Sequence, residues 1–410
     1  MTVTAADVRV AATAIAGQVV RTPLVAAPSL SALLGVELSF KLENLQVSGS
    51  FKARGALLRL LAFDADERRR GAIAVSAGNH AQGVAWHAGR LGIPATIVMP
   101  GATPFTKVQR TEALGARVVL EGDNLSEAEI HAKTLAARDG LVLVHPYDDE
   151  RIVAGQGTVG LEMLEDRPDL DTLVVPVGGG GLIAGIAIAA RDAKPGIRIV
   201  GVQASGCCPM ARRQPQAAPA AGGSLHTLAE GIAVKRPGTL TRPLVESLVD
   251  DVVTVAEGQI EKAVELLVEH EKIVAEGAGA AALAAVLADP PAFAGGPVGV
   301  VVSGGNIDNR LLASILMRGL VRAGRLARLR IEISDAPGTL AKVASLIGAN
   351  GGNILEVYHQ RLFQDVPVKS AELDAVVEAT DTGHVKAMVD ALQAAGYPTR
   401  LLGTYAKAWE

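Results

Sequence analysis

The sequence predicts an α/β protein with two open, mostly parallel, doubly wound sheets, followed by a smaller ferredoxin-like βαββαβ domain. Three observations carry this. Short β-rich runs alternate with helix-length segments from residue 71 to 303. Aromatic residues make up only 3% of a chain that holds 45 glycines, a composition suited to close packing of helices on sheets. The tail reads strand, helix, strand, strand, helix, strand over about eighty residues, a domain-sized length.

The elements follow in order. In "NLQVSGSFKARGALLRLL" (44–61), Phe51, Ala53, Ala56, Leu57, Leu60 and Leu61 recur at helical spacing. The second half therefore reads as a buried helix, with Ser50 placed to cap it and Gly49 easing the chain in. "AIAV" (72–75) reads as a strand, "AQGVAWHAGRLG" as a helix and "ATIVMP" (95–100) as a strand. "PFTKVQRTEALG" (helix), "ARVVLEG" (strand), "SEAEIHAKTLAARDG" (helix) and "LVLVH" (141–145, strand) continue the rhythm. It resumes with "TLVVPV" (172–177), a helix from Leu182 and the strand "IRIVGVQ" (197–203), and closes with a Gly/Ala-rich helix after Glu276 and the strand "VGVVVS" (298–303). The Pro-, Gly- and Arg-rich stretch 205–245 reads as irregular loop. "RGLVRAGRLARL" (318–329) reads as a joint. The expected domains are 1–320, with a small subdomain at about 50–150 inserted in it, and 321–410.

Nearly half of the 410 residues are apolar and mean hydropathy is +0.30, enough for a large core. A net charge of −4 without a long basic run speaks against nucleic-acid binding. The longest uncharged apolar run, 178–190, is too short to span a bilayer, and Asp7 and Arg9 interrupt the apolar core a signal peptide would need. Cys207 and Cys208 are adjacent, which suits neither a disulfide framework nor a spaced metal-thiolate site. A soluble, cytoplasmic protein with no metal site is expected.

In open parallel sheets, ligands gather beyond the carboxyl ends of the strands. "PVGGGGLIAGIAIAA" sets four glycines after a strand and opens a helix, so bare N–H groups at a positive helix end suit a phosphate. In "VSAGNHAQG" (75–83), Asn79 stands between a strand and a helix and can donate to a phenolic oxygen. In "VVSGGN", Ser303 ends a strand and offers a neutral hydroxyl to a ring nitrogen. Lys52 falls in the first turn of a helix, where the positive dipole end disfavours its charged form and lowers its pKa. A neutral amine is the nucleophile that condenses with an aldehyde. Each loop alone also fits an ordinary turn or a surface lysine; together they meet the needs of pyridoxal 5′-phosphate.

The chain resembles the fold-type II pyridoxal-phosphate enzymes, specifically the threonine dehydratases (threonine ammonia-lyases), through "SFKARGA", "SAGNHAQG", "GGGGLIAGIA", "AEGIAVKRPG", "EGAGA" and "SGGN", over roughly residues 5 to 320. The resemblance implies that Lys52 holds the cofactor and moves the substrate α-proton. It implies cofactor contacts from Phe51, Asn79, Gly178, Gly179, Gly180, Gly181, Leu182, Glu276 and Ser303. Ser76, Ala77, Gly78, Asn79 and His80 would hold the carboxylate of L-threonine or, secondarily, L-serine. Serine racemases are similar but carry a serine where this chain has Ala77, and acidic metal ligands where it has Gln203 and Pro209, so neither efficient racemisation nor that metal site is expected. The tail from about 326 resembles an ACT domain, an amino-acid-sensing module, through "DAPGTL" and "GGNI". That implies an isoleucine or valine effector at Asp335, Pro337, Gly338, Asn353 and Ile354, and a homodimer or homotetramer. Rival readings are a catabolic L-serine/L-threonine dehydratase, a β-replacement enzyme similar to cysteine synthase, and a non-catalytic amino-acid-binding regulator.

Overall fold

The computed structural model describes residues 3–211, 227–360 and 370–403. The chain divides into two compact units, Met1–Ile307 and Asp308–Glu410. The boundary lies ahead of residue 320 because Asn309–Arg322 is a helix of the second unit, capped by the Asp308 carboxylate. The expected joint at 318–329 is accordingly the end of that helix, a turn and the start of a strand.

The first unit holds strands β1 (Leu24–Ala26), β2 (Leu38–Leu42), β3 (Ala72–Val75), β4 (Ala95–Met99), β5 (Arg117–Leu120), β6 (Val142–Leu143), β7 (Thr172–Pro176), β8 (Arg198–Ala204), β9 (Asp251–Val255) and β10 (Val298–Val302). They form two sheets. One is six-stranded in the order β1-β2-β10-β7-β8-β9, and the other is four-stranded in the order β5-β4-β3-β6. All these pairings are parallel except β1 with β2, which gives the larger sheet an antiparallel edge. Strands β2, β7 and β10 are buried along their whole length, as strands covered on both faces must be. The described part of 205–245 is not wholly irregular: Glu230–Ile232 forms a 3₁₀ turn and Thr241–Leu248 a helix, while 212–226 lies outside the described residues.

The second unit adds β11 (Leu326–Ser334), β12 (Asn353–Gln360), β13 (Ser370–Glu378) and β14 (Thr399–Leu402) in one antiparallel sheet of order β12-β13-β11-β14. Val343 and Ile347 of helix Thr339–Ala349, with Val385, Met388 and Leu392 of helix Thr382–Ala394, pack on Leu329, Ile331, Leu373 and Ala375. This is the expected βαββαβ order.

Helix Lys52–Leu61 is anchored by charge in the core of the first unit. Arg54, with 0% exposure, grips Glu43 through Nε (2.9 Å) and Nη2 (2.8 Å), and Glu162 through Nη1 (2.6 Å) and Nη2 (2.8 Å). Lys41 donates to Glu162 Oε2 at 2.6 Å, so two cations face two carboxylates. Burial alone would raise the Glu43 pKa, but the Arg54 charge outweighs it and holds the carboxyl ionised. Removing one member strands the others. Arg54→Met is expected to lower the urea-unfolding free energy of the full chain by about 3–5 kcal/mol; a loss below about 1 kcal/mol would contradict this account of the cluster.

Candidate active site

Lys52 lies in the first turn of its helix, as the sequence predicts, and is its first residue because Phe51, not Ser50, holds the cap position. Ser50 forms an isolated β-bridge with Gly304, and the Phe51 N–H donates to the Ser303 carbonyl at 3.2 Å. These long-range bonds draw residues 50–51 to the end of β10, so Phe51 occupies the cap position and the fully buried Ser50 hydroxyl has no partner.

The Lys52 amine donates to the Pro146 carbonyl at 2.6 Å and lies 5.1 Å from the Phe51 ring centroid. Its pKa falls to about 8. Burial lowers it, and the Glu276 carboxylate opposes the fall. The fall expected from sequence is present, and desolvation is its largest cause.

Asn79 opens the helix Asn79–Leu91 beyond β3. Its Nδ2 donates to Glu276 Oε1 at 2.5 Å, and its Oδ1 accepts from Asn306 Nδ2 at 2.8 Å. Asn306 Nδ2 also donates to the Ser48 carbonyl, at 2.8 Å, so the amide's orientation is set from both sides. Glu276 caps helix Gly277–Ala288, and its N–H donates to the Gly304 carbonyl at 3.1 Å. Burial raises its carboxyl to about 7, against the Asn79 hydrogen bond and the charges of Lys107 and Lys52. Gly304 is required between these groups, because a Cβ there would overlap Glu276 Oε1 and stand 3.1 Å from Asn79 Nδ2. Ser303, its neighbour in the chain and 3% exposed, donates its hydroxyl to the Ala278 carbonyl at 3.4 Å.

Beyond β7, residues 178–180 lead into helix Gly181–Ala193, with Gly180 in the left-handed region at φ +96°. A Cβ on Gly179 would overlap the Tyr147 ring, and one on Gly178 would crowd Ile232 and Val234. Leu182 is buried in the apolar core. In the 76–80 loop, Ser76 Oγ accepts from the Gly78 N–H at 3.1 Å. His80 Nε2 donates to the Val144 carbonyl at 2.8 Å, since a carbonyl only accepts, which leaves Nδ1 as the bare acceptor. Burial first, then the nearby Lys52 charge, depress His80 to about 3, so it is neutral. Ala77 packs against the small-sheet core.

The structure thus brings Asn79, Glu276 and Ser303 together around Gly304, sets the Lys52 amine in the field of Glu276, and links Lys52 to the glycine loop through the adjacent Pro146 and Tyr147. The donor set fits an aldehyde with an anionic tail: a desolvated amine, a glycine peptide loop at a helix entry, an oriented amide and a neutral hydroxyl. Among the described residues, no group of three or more His, Cys, Asp and Glu side chains is arranged to hold a metal, and no helix is long and apolar enough to cross a membrane. In the second unit, Asp335 and Pro337 precede Gly338, which caps helix Thr339–Ala349 at φ +87°. Asn353 opens β12 and donates to Glu378 Oε2 at 3.2 Å, while Ile354 packs partly against the core.

Sequence reasoning passed over Pro146, Tyr147, Asp148 and Asn306, as well as the Lys107–Glu230 ion pair (2.7 Å) that spans from helix Phe105–Glu112 to the 230–232 turn. "HPYDD" directly follows the strand segment around β6, and the same strand-end rule that selected the other loops would have flagged it.

Glu276 supplies a pH test. Its pKa is raised from 4.5 to about 7 on folding, so the folded chain keeps that proton between these values. Its contribution to stability is fully present below about 4.5 and is lost as pH rises through about 7. Relative to Glu276→Gln, the unfolding temperature of the cofactor-free wild-type chain should therefore fall between pH 5 and pH 8. A difference constant with pH would contradict the raised value.

Residues 15–304 match the family model described as pyridoxal-phosphate dependent enzyme. The chain is 43% identical over 403 residues to an L-threonine ammonia-lyase of Thermotoga maritima, covering 98% of this chain and 100% of that one. It is 42% identical over 388 residues to an L-threonine ammonia-lyase of Geobacter sulfurreducens, covering 92% and 94%. Among solved structures, a maize serine racemase superimposes with TM-score 0.71 at 35% identity, covering 78% of this chain and 99% of that one. The processed form of threonine deaminase isoform 2 from Solanum lycopersicum does so with TM-score 0.70 at 34% identity, covering 76% and 86%. With its parallel sheets, its glycine loop and the desolvated Lys52 in place, the chain belongs to the pyridoxal-phosphate dependent enzymes.

Proposed function

We propose that this enzyme catalyses β-elimination from L-threonine, giving 2-oxobutyrate and ammonia. One observation carries the reading: a lysine amine with its pKa brought down to about 8 sits on a peptide carbonyl beside an oriented amide and a glycine loop. The choice of threonine draws on the two relatives that align over nearly the whole chain, both named L-threonine ammonia-lyases.

Pyridoxal 5′-phosphate, when bound, supplies an electron sink that acidifies the Cα–H of an attached amino acid. Gly178 to Leu182 would hold its phosphate, Asn79 its 3′-oxygen and Ser303 its ring nitrogen, with Glu276 and Phe51 alongside. The Ser303 hydroxyl, unlike a carboxylate, would not keep a proton on that nitrogen, and this would favour elimination. Lys52 would hold the cofactor through its amine and would move the proton at Cα; the Pro146 carbonyl holds its Nζ. Ser76 to His80 would seat the substrate carboxylate. Neutral His80 adds no positive charge there, so recognition falls to the N–H groups of the loop.

The second unit is the proposed sensor, an ACT-like module binding isoleucine, with valine opposing, through Asp335, Pro337, Gly338, Asn353 and Ile354. On this reading the enzyme performs the first committed step of isoleucine synthesis, as a cytoplasmic homodimer or homotetramer. The Thermotoga relative aligns through this unit, whereas a catabolic L-threonine dehydratase of Staphylococcus aureus, 44% identical, covers 73% of this chain. L-Serine is the expected secondary substrate.

Oxobutyrate formation should show a higher kcat/KM for threonine than pyruvate formation shows for serine. Lys52→Ala should lower kcat at least about a thousandfold, in line with loss of a positioned acid–base group. Millimolar isoleucine should shift the threonine saturation curve of the intact chain. Serine preference would move the reading to the serine dehydratases, and an unmoved curve would remove the isoleucine claim.

A further inference from the structure

The loop after β6 carries a carboxylate, that of Asp148, which the proposed reaction does not use. Both Asp148 oxygens face backbone and hydroxyl donors of the 239–241 segment. One oxygen accepts from the Leu240 N–H at 2.9 Å and the Thr241 N–H at 3.3 Å. The other accepts from the Thr239 N–H and the Thr239 hydroxyl, each at 2.9 Å. The peptide of Asp148 is itself fixed, since its N–H donates to His145 Nδ1 at 2.8 Å. Gly238 closes against the carboxylate, and a Cβ there would overlap it.

The 238–241 segment passes this anchorage to the glycine loop. Thr241 Oγ1 donates to the Gly179 carbonyl at 2.5 Å, and the Gly238 N–H reaches the same oxygen at 3.4 Å. On the other side, the Tyr147 ring lies against Gly179, and its hydroxyl donates to the Arg236 carbonyl at 2.9 Å. The Gly179 peptide is thus held by its carbonyl, and a peptide whose carbonyl is fixed has its plane fixed. The next N–H, that of Gly180, belongs to the same peptide unit and shares that orientation. Two residues before Asp148, the Pro146 carbonyl takes the Lys52 amine. One short segment therefore touches both the amine and, through Thr241, the glycine loop.

We infer that Asp148 is a positioning residue for the cofactor phosphate: by gathering residues 239–241 onto its carboxylate, it sets Thr241 against the Gly179 carbonyl and so aims the N–H groups of the glycine loop. This rests on the reading of residues 178–182 as the phosphate cradle. Asp148→Asn keeps the shape but loses the charge that draws four donors, and Thr241→Val removes only the last link.

The full-length chain is titrated with pyridoxal 5′-phosphate and, separately, with pyridoxal, which has the aldehyde but no phosphate. Binding is followed by the absorbance of the lysine-bound chromophore. Asp148→Asn should raise the dissociation constant for pyridoxal 5′-phosphate about tenfold while leaving that for pyridoxal within about twofold, the scale set by weakening one charge-assisted hydrogen bond. Thr241→Val should shift the same constant in the same direction by less, and it serves as the test if Asp148→Asn does not fold. Equal losses for both ligands, or no loss for either, would overturn the positioning role. A wild-type chain that binds both ligands equally would overturn the phosphate-cradle reading instead.

Discussion

A charged amine withdrawn from water and given a single peptide carbonyl is the constraint around which this molecule is arranged. Desolvation works against the ammonium form of Lys52, and the Pro146 carbonyl at 2.6 Å makes up only part of the lost hydration. Glu276, the nearby carboxylate, offsets only part of the resulting fall in the amine's pKa. Its own carboxyl is pushed up to about 7 by burial. Asn79 fixes the carboxylate's place with a hydrogen bond of 2.5 Å, and Asn306 in turn holds the Asn79 amide at 2.8 Å.

Holding such an amine in place needs a rigid helix, and helix Lys52–Leu61 is tied down on more than one side. Arg54 binds it to Glu43 and Glu162 in a buried, charge-balanced cluster. On another side, Gly83 brings helix Asn79–Leu91 so close that a Cβ would lie 3.3 Å from the Lys52 carbonyl and the Ala53 nitrogen. The bridge from Ser50 to Gly304 then joins this helix entry to the end of β10, where Ser303 stands. Precision at the Lys52 nitrogen thus comes from packing and paired charge in the first unit rather than from the local sequence of the helix.

Much of the fold was legible in the sequence, because parallel strands in such sheets are continuous apolar runs that local reading detects. Four consecutive glycines announced a loop with bare backbone, and the structure shows why Gly179 and Gly180 cannot carry side chains. The first fifty residues were harder: β1 has three residues, and β2, though buried throughout, contains Ser39 and Lys41, whose partners lie far along the chain. The same limit explains Ser50. Its sequence context is that of a helix cap, but its backbone is claimed by a strand end from the far part of the unit. The strand-end position of "HPYDD" marks the loop of Pro146, Tyr147 and Asp148, but the partners of these residues and of Asn306 lie far along the chain, and no local pattern encodes them. The basic stretch 318–329 reads as a joint, but its first residues are the last turn of the helix Asn309–Arg322, which Asp308 caps as an ordinary element.

The central claim is that the lowered amine at Lys52 is the group that joins the cofactor's aldehyde. Borohydride reduction of the cofactor-loaded protein, followed by peptide mass mapping, tests it most directly. The account predicts a stable pyridoxyl adduct on the peptide containing Lys52 and no other. An adduct on a different lysine, or none at all, would contradict it.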